Sequence, residues 1–236
     1  MTVDRNAMAL TAELAALIER TEPDPGPEPG SRDFTDEEFE AMACDFVASR
    51  PDGPTWLFAY GSLIWNPEID TLAYRPARAL GWHRSFCLKL TRWRGTRERP
   101  ALMLALDRGG SCKGLVYQLP DADPVAEMVA LLKREIDASP PTNVPRWITV
   151  DAGGTPMKAL AFVADPSGPA YAGRLPLEEV AHITARAAGH WGAAATYLQR
   201  TVEQLEKHGF RDRNLWVLQA AVAREIHAMH PATKDT

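Results

Sequence analysis

The spacing of apolar residues separates a strand-rich middle from helical ends. Residues 8–20 are rich in alanine and leucine and predict a helix. A stiff, extended linker follows, Glu22-Pro23-Asp24-Pro25-Gly26-Pro27-Glu28-Pro29-Gly30, with no core-forming residue. The next helix has an explicit start. Thr35 can cap it, Glu38 completes a capping box, and Phe34 can staple onto Phe39. Phe39, Met42, Ala43, Phe46 and Val47 then share one apolar face. That face needs cover, so this N-terminal segment is expected to pack on the main domain rather than serve as a partner-binding arm.

From Pro54 the period shortens. Trp56-Leu57-Phe58-Ala59-Tyr60 is a run of bulky residues stopped by Gly61-Ser62, and predicts a buried strand. Residues 78–90 partly alternate, as a half-buried strand does. The runs 101–106 and 112–119, separated by Gly109-Gly110-Ser111, predict a hairpin. Asp123-Pro124 opens a helix with proline at its first position, and Val125, Met128, Val129, Leu132 and Ile136 give its buried face. Two further strands are expected at about 146–151 and 157–164, joined by Asp151-Ala152-Gly153-Gly154-Thr155. After Pro176 the apolar spacing is helical to the end. Strands joined by hairpins, followed by late helices, argue for an α+β fold rather than a doubly wound parallel sheet. The expected division is an N-terminal helical extension with its Pro-rich linker over 1–53 and one main domain over 54–230.

Composition narrows the function classes. The 236 residues carry a formal net charge of -5, so no basic surface advertises nucleic acid or an anionic membrane. No apolar run approaches the roughly 18 residues of a membrane span, and Met1-Thr2-Val3-Asp4-Arg5 lacks a signal-peptide core. Cys44, Cys87 and Cys112 are far apart and odd in number, which fits a reducing cytoplasm better than a disulfide framework or a metal cluster.

Candidate chemistry is sparse. The turn Gly61-Ser62-Leu63 can present backbone N–H groups to an anion, or can simply be a tight hairpin turn. Glu135 lies in the final turn of an amphipathic helix, where burial and the helix dipole would raise its pKa toward that of a working base. The other reading of Glu135 is an exposed carboxylate paired with Lys133 or Arg134. Arg92, Arg94, Arg97 and Arg99 cluster around Trp93, as an anion clamp or as a solvated turn. His227 and His230 share a helix edge without a third metal ligand in view. Ser62 follows a strand, but Gly-x-Ser-x-Gly is absent, so a hydrolase elbow is unsupported.

Several of these segments together resemble a known family. Tyr60-Gly61-Ser62-Leu63-Ile64-Trp65 with Pro67 resembles the opening motif of the ChaC-type γ-glutamylcyclotransferases. Arg94-Gly95-Thr96 with Arg99-Pro100, then Asp107-Arg108-Gly109-Gly110-Ser111-Cys112, Arg134-Glu135, Tyr171-Ala172-Gly173, Leu177-Glu178-Glu179 and Ala187-Ala188-Gly189 are similar to its later motifs, in order, over about 55–228. The resemblance implies a closed or nearly closed mixed β-barrel flanked by helices. It implies cleavage of glutathione to 5-oxoproline and Cys-Gly, with a small-molecule substrate and without metal or cofactor. It implies Glu135 as catalytic acid/base, residues Tyr60, Gly61, Ser62 and Leu63 as the grip on the γ-glutamyl part, Tyr171 as a wall over it, and Arg94 at the cysteinylglycine end. The chain departs from the family pattern at Gly192-Ala193-Ala194-Ala195-Thr196-Tyr197, where an amide and an acidic side chain are missing, at Pro100-Ala101, and at Gln118. These departures leave open another γ-glutamyl amide as substrate, and the N-terminal helices with their Pro-rich linker leave open a non-catalytic ligand sensor.

Overall fold

The computed structural model describes residues 7–28, 30–136 and 138–231. In chain order its elements are α1 (Ala12–Ala16), α2 (Asp36–Ala48), β1 (Trp56–Ala59), α3 (Ser62–Trp65), β2 (Ala73–Leu90), β3 (Ala101–Gln118), α4 (Pro124–Glu135), β4 (Asn143–Asp151) and β5 (Pro156–Ala164). Then come α5 (Leu177–Thr184), β6 (Ala188–Gly189), β7 (Gly192–Ala193), α6 (Ala194–Lys207) and α7 (Arg213–Met229). The described residues group into two compact units. One holds Pro27–Leu88 and Leu104–Gly173; the other holds Lys89–Met103, the residues up to Gly26 and those from Arg174 on. The two helices that precede residue 54 fall in different units, α2 in the first and α1 in the second.

The first unit is built on a closed barrel with strand order β1-β3-β2-β4-β5. It closes where β5 meets β1 in parallel at Leu57 and Leu160, and β5 also meets β3 in parallel at Leu106 and Val163. Closure leaves no open sheet edge, which protects backbone groups that would otherwise pair with another chain. The barrel is therefore mixed, as the resemblance implied. Both faces of its wall are covered: Leu57, Phe58, Ala59, Val116, Leu160 and Phe162 are fully buried, although neighbours along a strand point to opposite sides. The β4–β5 hairpin pairs residue for residue from Asn143–Ala164 to Asp151–Pro156. Its turn passes through Gly153 and Gly154, both with positive φ, and the Asp151 carboxylate accepts from the Gly154 N–H at 2.7 Å.

Helices α2 and α4 pack on each other in this unit. The α2 start is as its sequence predicts. Thr35 Oγ1 accepts from the Glu38 N–H at 3.2 Å, the Glu38 carboxylate accepts from the Thr35 N–H at 2.9 Å, and the Phe34 and Phe39 rings meet at 5.4 Å. The Asp123 side chain likewise caps α4 through the Ala126 N–H.

One expectation fails here. Residues 101–106 and 112–119 are not the two arms of a hairpin but one continuous strand, β3. Gly109 and Gly110 have φ of 100° and 66°, which bends the strand without reversing it. Gly81 of β2 also has positive φ, and His83 Nδ1 lies 3.1 Å from the Gly109 carbonyl oxygen, so the two neighbouring strands bend together. A glycine pair between apolar runs signals a turn and a bulge alike, and only the partner strand decides.

The second unit gathers α1, α6 and α7, with α5 packed on α7. The helix expected over 8–20 is shorter, Ala12–Ala16, because the residues after it are drawn into tertiary bonds that outweigh alanine's helix propensity. Arg20 donates to the Arg186 carbonyl at 3.2 Å. Glu19 serves α6, whose N-cap residue Ala193 has no side-chain cap of its own. The Glu19 carboxylate accepts from the Ala193 N–H at 2.9 Å and from the Thr196 hydroxyl at 2.6 Å. It thereby places negative charge at the positive end of the helix dipole. Glu19→Ala is expected to cost about 1 kcal/mol in urea unfolding, the usual range for loss of a cap, while Glu19→Gln retains more of it. A Glu19→Ala chain as stable as the parent would remove this role.

Cysteine accessibility gives an independent check on the core. Cys87 and Cys112 are buried and Cys44 is exposed. Burial pushes the Cys87 thiol up to about 12, with the charge of Asp107 adding to it. A thiol reagent at pH 8 should therefore label one cysteine rapidly in the native chain and all three in denaturant. Rapid labelling of Cys87 in the native state would contradict this packing.

Candidate active site

Strand β1 pairs antiparallel with the end of β3, from Trp56–Gln118 to Ala59–Leu115. A Cβ on Gly114 would overlap the Ala59 carbonyl oxygen and come within 2.8 Å of the Phe58 ring, so this close crossing needs glycine. Beyond Ala59 the chain passes Tyr60 and Gly61 and turns at once into α3. Gly61 is the N-cap, with φ of -134°, so the turn does not depend on left-handed backbone. The Ile64 N–H bonds the Gly61 carbonyl at 3.0 Å and the Asn66 N–H bonds the Ser62 carbonyl at 2.8 Å. The N–H groups of Ser62 and Leu63 open this one-turn helix, a place where the helix supplies no acceptor of its own. Leu63 is buried.

Arg84 holds this turn and escaped the sequence reading. It is only 4% exposed, its Nε donates to the Tyr60 carbonyl at 2.7 Å, and its Nη2 donates to the Lys113 carbonyl. The signal was present. Arg84 falls in phase with Trp82 and Phe86, the inward positions of β2, and an arginine in that phase must find internal acceptors.

Glu135 is the last residue of α4, which buries Met128, Leu131 and Leu132. Its side chain is 12% exposed. Burial raises its pKa; the neighbouring Arg134 charge and hydrogen bond pull it back, and the Glu68 charge adds to the rise. Both readings of Glu135 hold in part: it is buried, and it is paired. Arg134 Nη1 donates to the Glu135 carboxylate, while Nη2 donates to the Asn66 carbonyl. Arg134 Nε stands 3.7 Å from the Glu68 carboxylate. Lys133 is not the partner, because it bonds Asp36 at 2.6 Å. One guanidinium thus joins the Glu135 carboxylate to the chain just beyond α3.

Tyr171 lies in the same unit. It bridges to Leu88 of β2, and the adjacent Ala172 N–H bonds the Cys87 carbonyl at 2.8 Å. Its hydroxyl donates to Asp107 Oδ2 at 2.9 Å. Desolvation, and then the Asp107 carboxylate, raise the Tyr171 pKa, so the phenol stays protonated as a donor. Asp107 is a second partner that the sequence reading did not single out.

Arg94 is a buried holder of backbone. It belongs to the other unit, is 9% exposed, and its Nη1 donates to the carbonyls of Trp191 at 2.7 Å and Ala193 at 3.2 Å. Its guanidinium also lies over the Tyr197 ring at 5.4 Å. Those bonds hold the β6–β7 turn. Its neighbour Arg92 is likewise engaged, with Nε and Nη2 on the two oxygens of Asp24 at 2.7 and 2.6 Å. The arginine cluster is therefore neither one clamp nor one solvated turn. Gly189 packs so closely on the Trp93 and Gly95 backbone that a side chain there would overlap it. His227 and His230 lie at the end of α7, and among the described residues no group of metal-ligating side chains forms a site. No helix among the described residues is long and apolar enough to cross a membrane.

The family model described as ChaC-like protein matches residues 55–225. The chain is 37% identical over 197 residues to the glutathione-specific gamma-glutamylcyclotransferase of Escherichia coli, covering 83% of this chain and 84% of that protein. It is 30% identical over 181 residues to glutathione-specific gamma-glutamylcyclotransferase 1 of Homo sapiens, covering 75% and 80%. The crystal structure of the yeast gamma glutamyl cyclotransferase specific to glutathione superposes with a TM-score of 0.68 at 19% identity, over 76% of this chain and 100% of that one, and so shares its fold. With the barrel, the turn after β1 and the Arg134-Glu135 pair in place, the chain belongs to the ChaC-like protein family.

Proposed function

We propose that this chain is a γ-glutamylcyclotransferase that cleaves glutathione to 5-oxoproline and Cys-Gly. The observation that carries the reading is Glu135, a largely buried carboxylate with a raised pKa, tied through Arg134 to the chain that follows the Gly61-Ser62 turn. The relatives in Escherichia coli and Homo sapiens carry the name of this activity.

The chemistry asks little more of the protein. The substrate's own α-amine attacks its γ-amide carbonyl, so the nucleophile is already tethered and the site chiefly folds the γ-glutamyl chain into attacking geometry. Residues 60–63 grip that part, with the Ser62 and Leu63 N–H groups toward its carboxylate or the developing oxyanion. Glu135 takes a proton from the amine as the new C–N bond forms. The same carboxyl group then gives that proton to the departing amide nitrogen as the old C–N bond breaks. Water is neither consumed nor formed, and no metal or redox group enters the balance. A base at the end of its own helix, raised by burial yet held by Arg134, is suited to take a proton and to return it. Tyr171, fixed by Asp107, walls the glutamyl pocket. The three free cysteines suit a reducing cytoplasm, the compartment in which this reading sets the enzyme.

The segment 192–197 favours one variation, a different γ-glutamyl amide as substrate. Incubation with glutathione and with a panel of γ-glutamyl amides, followed by mass spectrometry, separates the two. Glutathione should give 5-oxoproline and Cys-Gly, and Glu135→Gln should lower turnover by about 10²–10⁴-fold with an unchanged circular dichroism spectrum. Full activity in the Gln variant would overturn the assignment, and glutathione binding without product in the parent chain would point to a ligand sensor instead.

A further inference from the structure

We propose that Arg134 is a positioning residue whose guanidinium fork locks the Glu135 carboxylate to segment 66–68 and so sets the acid/base against the 60–63 grip. The proposal rests on the cyclotransferase reading of Glu135 and goes beyond it to a residue that reading leaves without a role.

The geometry is specific to a fork. Nη1 meets the Glu135 carboxylate, Nη2 meets the Asn66 carbonyl, and Nε faces the Glu68 carboxylate at 3.7 Å. The Arg134 side chain is 15% exposed, so these partners replace water rather than compete with it. Nε makes no hydrogen bond, which leaves the Glu68 contact a purely electrostatic one. Asn66 is in turn the residue whose N–H closes α3 on the Ser62 carbonyl at 2.8 Å. The rigid path therefore runs from the Glu135 carboxylate through one planar group to Asn66, and through one backbone bond to Ser62. A lysine ammonium is a point donor and cannot reproduce two parallel N–H directions.

The charged groups that face Glu135 are Arg134 on its own helix and Glu68 on the facing segment. Lys133, adjacent on α4, is engaged by Asp36. Arg134 favours the ionised carboxylate, while burial and Glu68 favour the protonated one. The sign follows. Removing the Arg134 charge strips away the one favourable contribution, so Glu135 binds its proton more tightly and ionises at higher pH. Its base form, which must be present for the amine to lose a proton, is then reached later on the pH scale.

Full-length parent chain, Arg134→Gln and Arg134→Lys are compared by two readouts. The first is an NMR titration of the Glu135 carboxyl carbon, identified by its absence in Glu135→Gln. The Gln variant should titrate about one pH unit or more above the parent, and the Lys variant close to the parent. The second is the pH profile of kcat/KM for glutathione. Its acidic limb should move upward in the Gln variant and stay in place in the Lys variant. In both variants kcat should fall about tenfold or more, because the fork is lost even where the charge is kept. A Gln variant that titrates with the parent, or a Lys variant with full kcat, overturns the proposal. If either variant fails to hold its circular dichroism spectrum, the other decides by the same readouts. If the parent chain turns over no glutathione, it is the cyclotransferase reading that falls, while the titration still tells whether Arg134 governs Glu135.

Discussion

A carboxyl group at the carboxyl end of a buried helix is an unfavourable object. The helix dipole opposes its charge, and burial removes the water that would stabilise it. Glu135 stands in that position, and the surrounding structure is arranged around keeping it there. Removing the carboxylate would relieve both penalties, yet α4 delivers it to the end of an apolar stripe of Met128, Leu131 and Leu132. Arg134 offsets the desolvation without cancelling it, since the carboxyl group keeps a raised pKa. On the proposed cyclotransferase reading, that balance suits a group that moves one proton between two nitrogens. A fully neutralised ion pair would be too weak a base, and an unpaired buried acid would be reluctant to ionise at all.

Arginine recurs in this protein as a holder of irregular backbone. Arg84 takes the carbonyls of Tyr60 and Lys113, Arg94 those of Trp191 and Ala193, Arg134 that of Asn66, and Arg20 that of Arg186. Apart from Lys113, which lies within β3, these acceptors lie in or beside turns, where the backbone lacks a regular partner. Buried carbonyls left without donors would be costly. The planar, permanently charged guanidinium supplies donors in fixed directions, so it fixes position as well as satisfying the group. The turns themselves are built from small residues, and glycines at 95, 114 and 189 sit where any side chain would strike backbone. Close backbone approach and arginine clamps are therefore two halves of one solution. The first brings the strands and turns near enough to shape a site, and the second stops them from drifting.

Local signals in the sequence were dependable where they acted locally. The Thr35–Glu38 capping box, the Phe34–Phe39 staple and the Asp123-Pro124 helix start all depend on neighbours within a few residues, and all formed. Apolar runs likewise located β1, β4 and β5. The failures share a cause. Gly109-Gly110 bends a strand rather than ending it because β2 bends alongside, and nothing near residue 109 encodes its partner. The helix over 8–20 shortened because Glu19 and Arg20 bond to residues more than 160 positions away. The backbone acceptors of Arg94, the carbonyls at 191 and 193, likewise carry no sequence mark. The fold class and the candidate acid/base were legible through periodicity and short motifs. The support around them, Arg84 and Asp107, was not, because it depends on which distant segments meet.

The N-terminal segment supplies a carboxylate where the chain departs from the family pattern. Segment 192–197 lacks the acidic side chain of the pattern it resembles, and α6 begins on two alanines after an N-cap alanine that supplies no side-chain cap. Read alone, that loss suggests a different substrate. Yet a carboxylate is present at the start of α6, because Glu19 reaches the Ala193 N–H and the Thr196 hydroxyl from residues outside the 55–225 match. The electrostatic requirement of the helix start is met from another part of the chain. Asp24, farther along the same segment, is held by Arg92 in a bidentate pair. These two carboxylates tie the stretch before Gly26 into the helical unit, so it acts there as part of the fold. Glu19 thus supplies the charge that the start of α6 needs, while the missing amide and acid at 192–197 bear on what the site accepts.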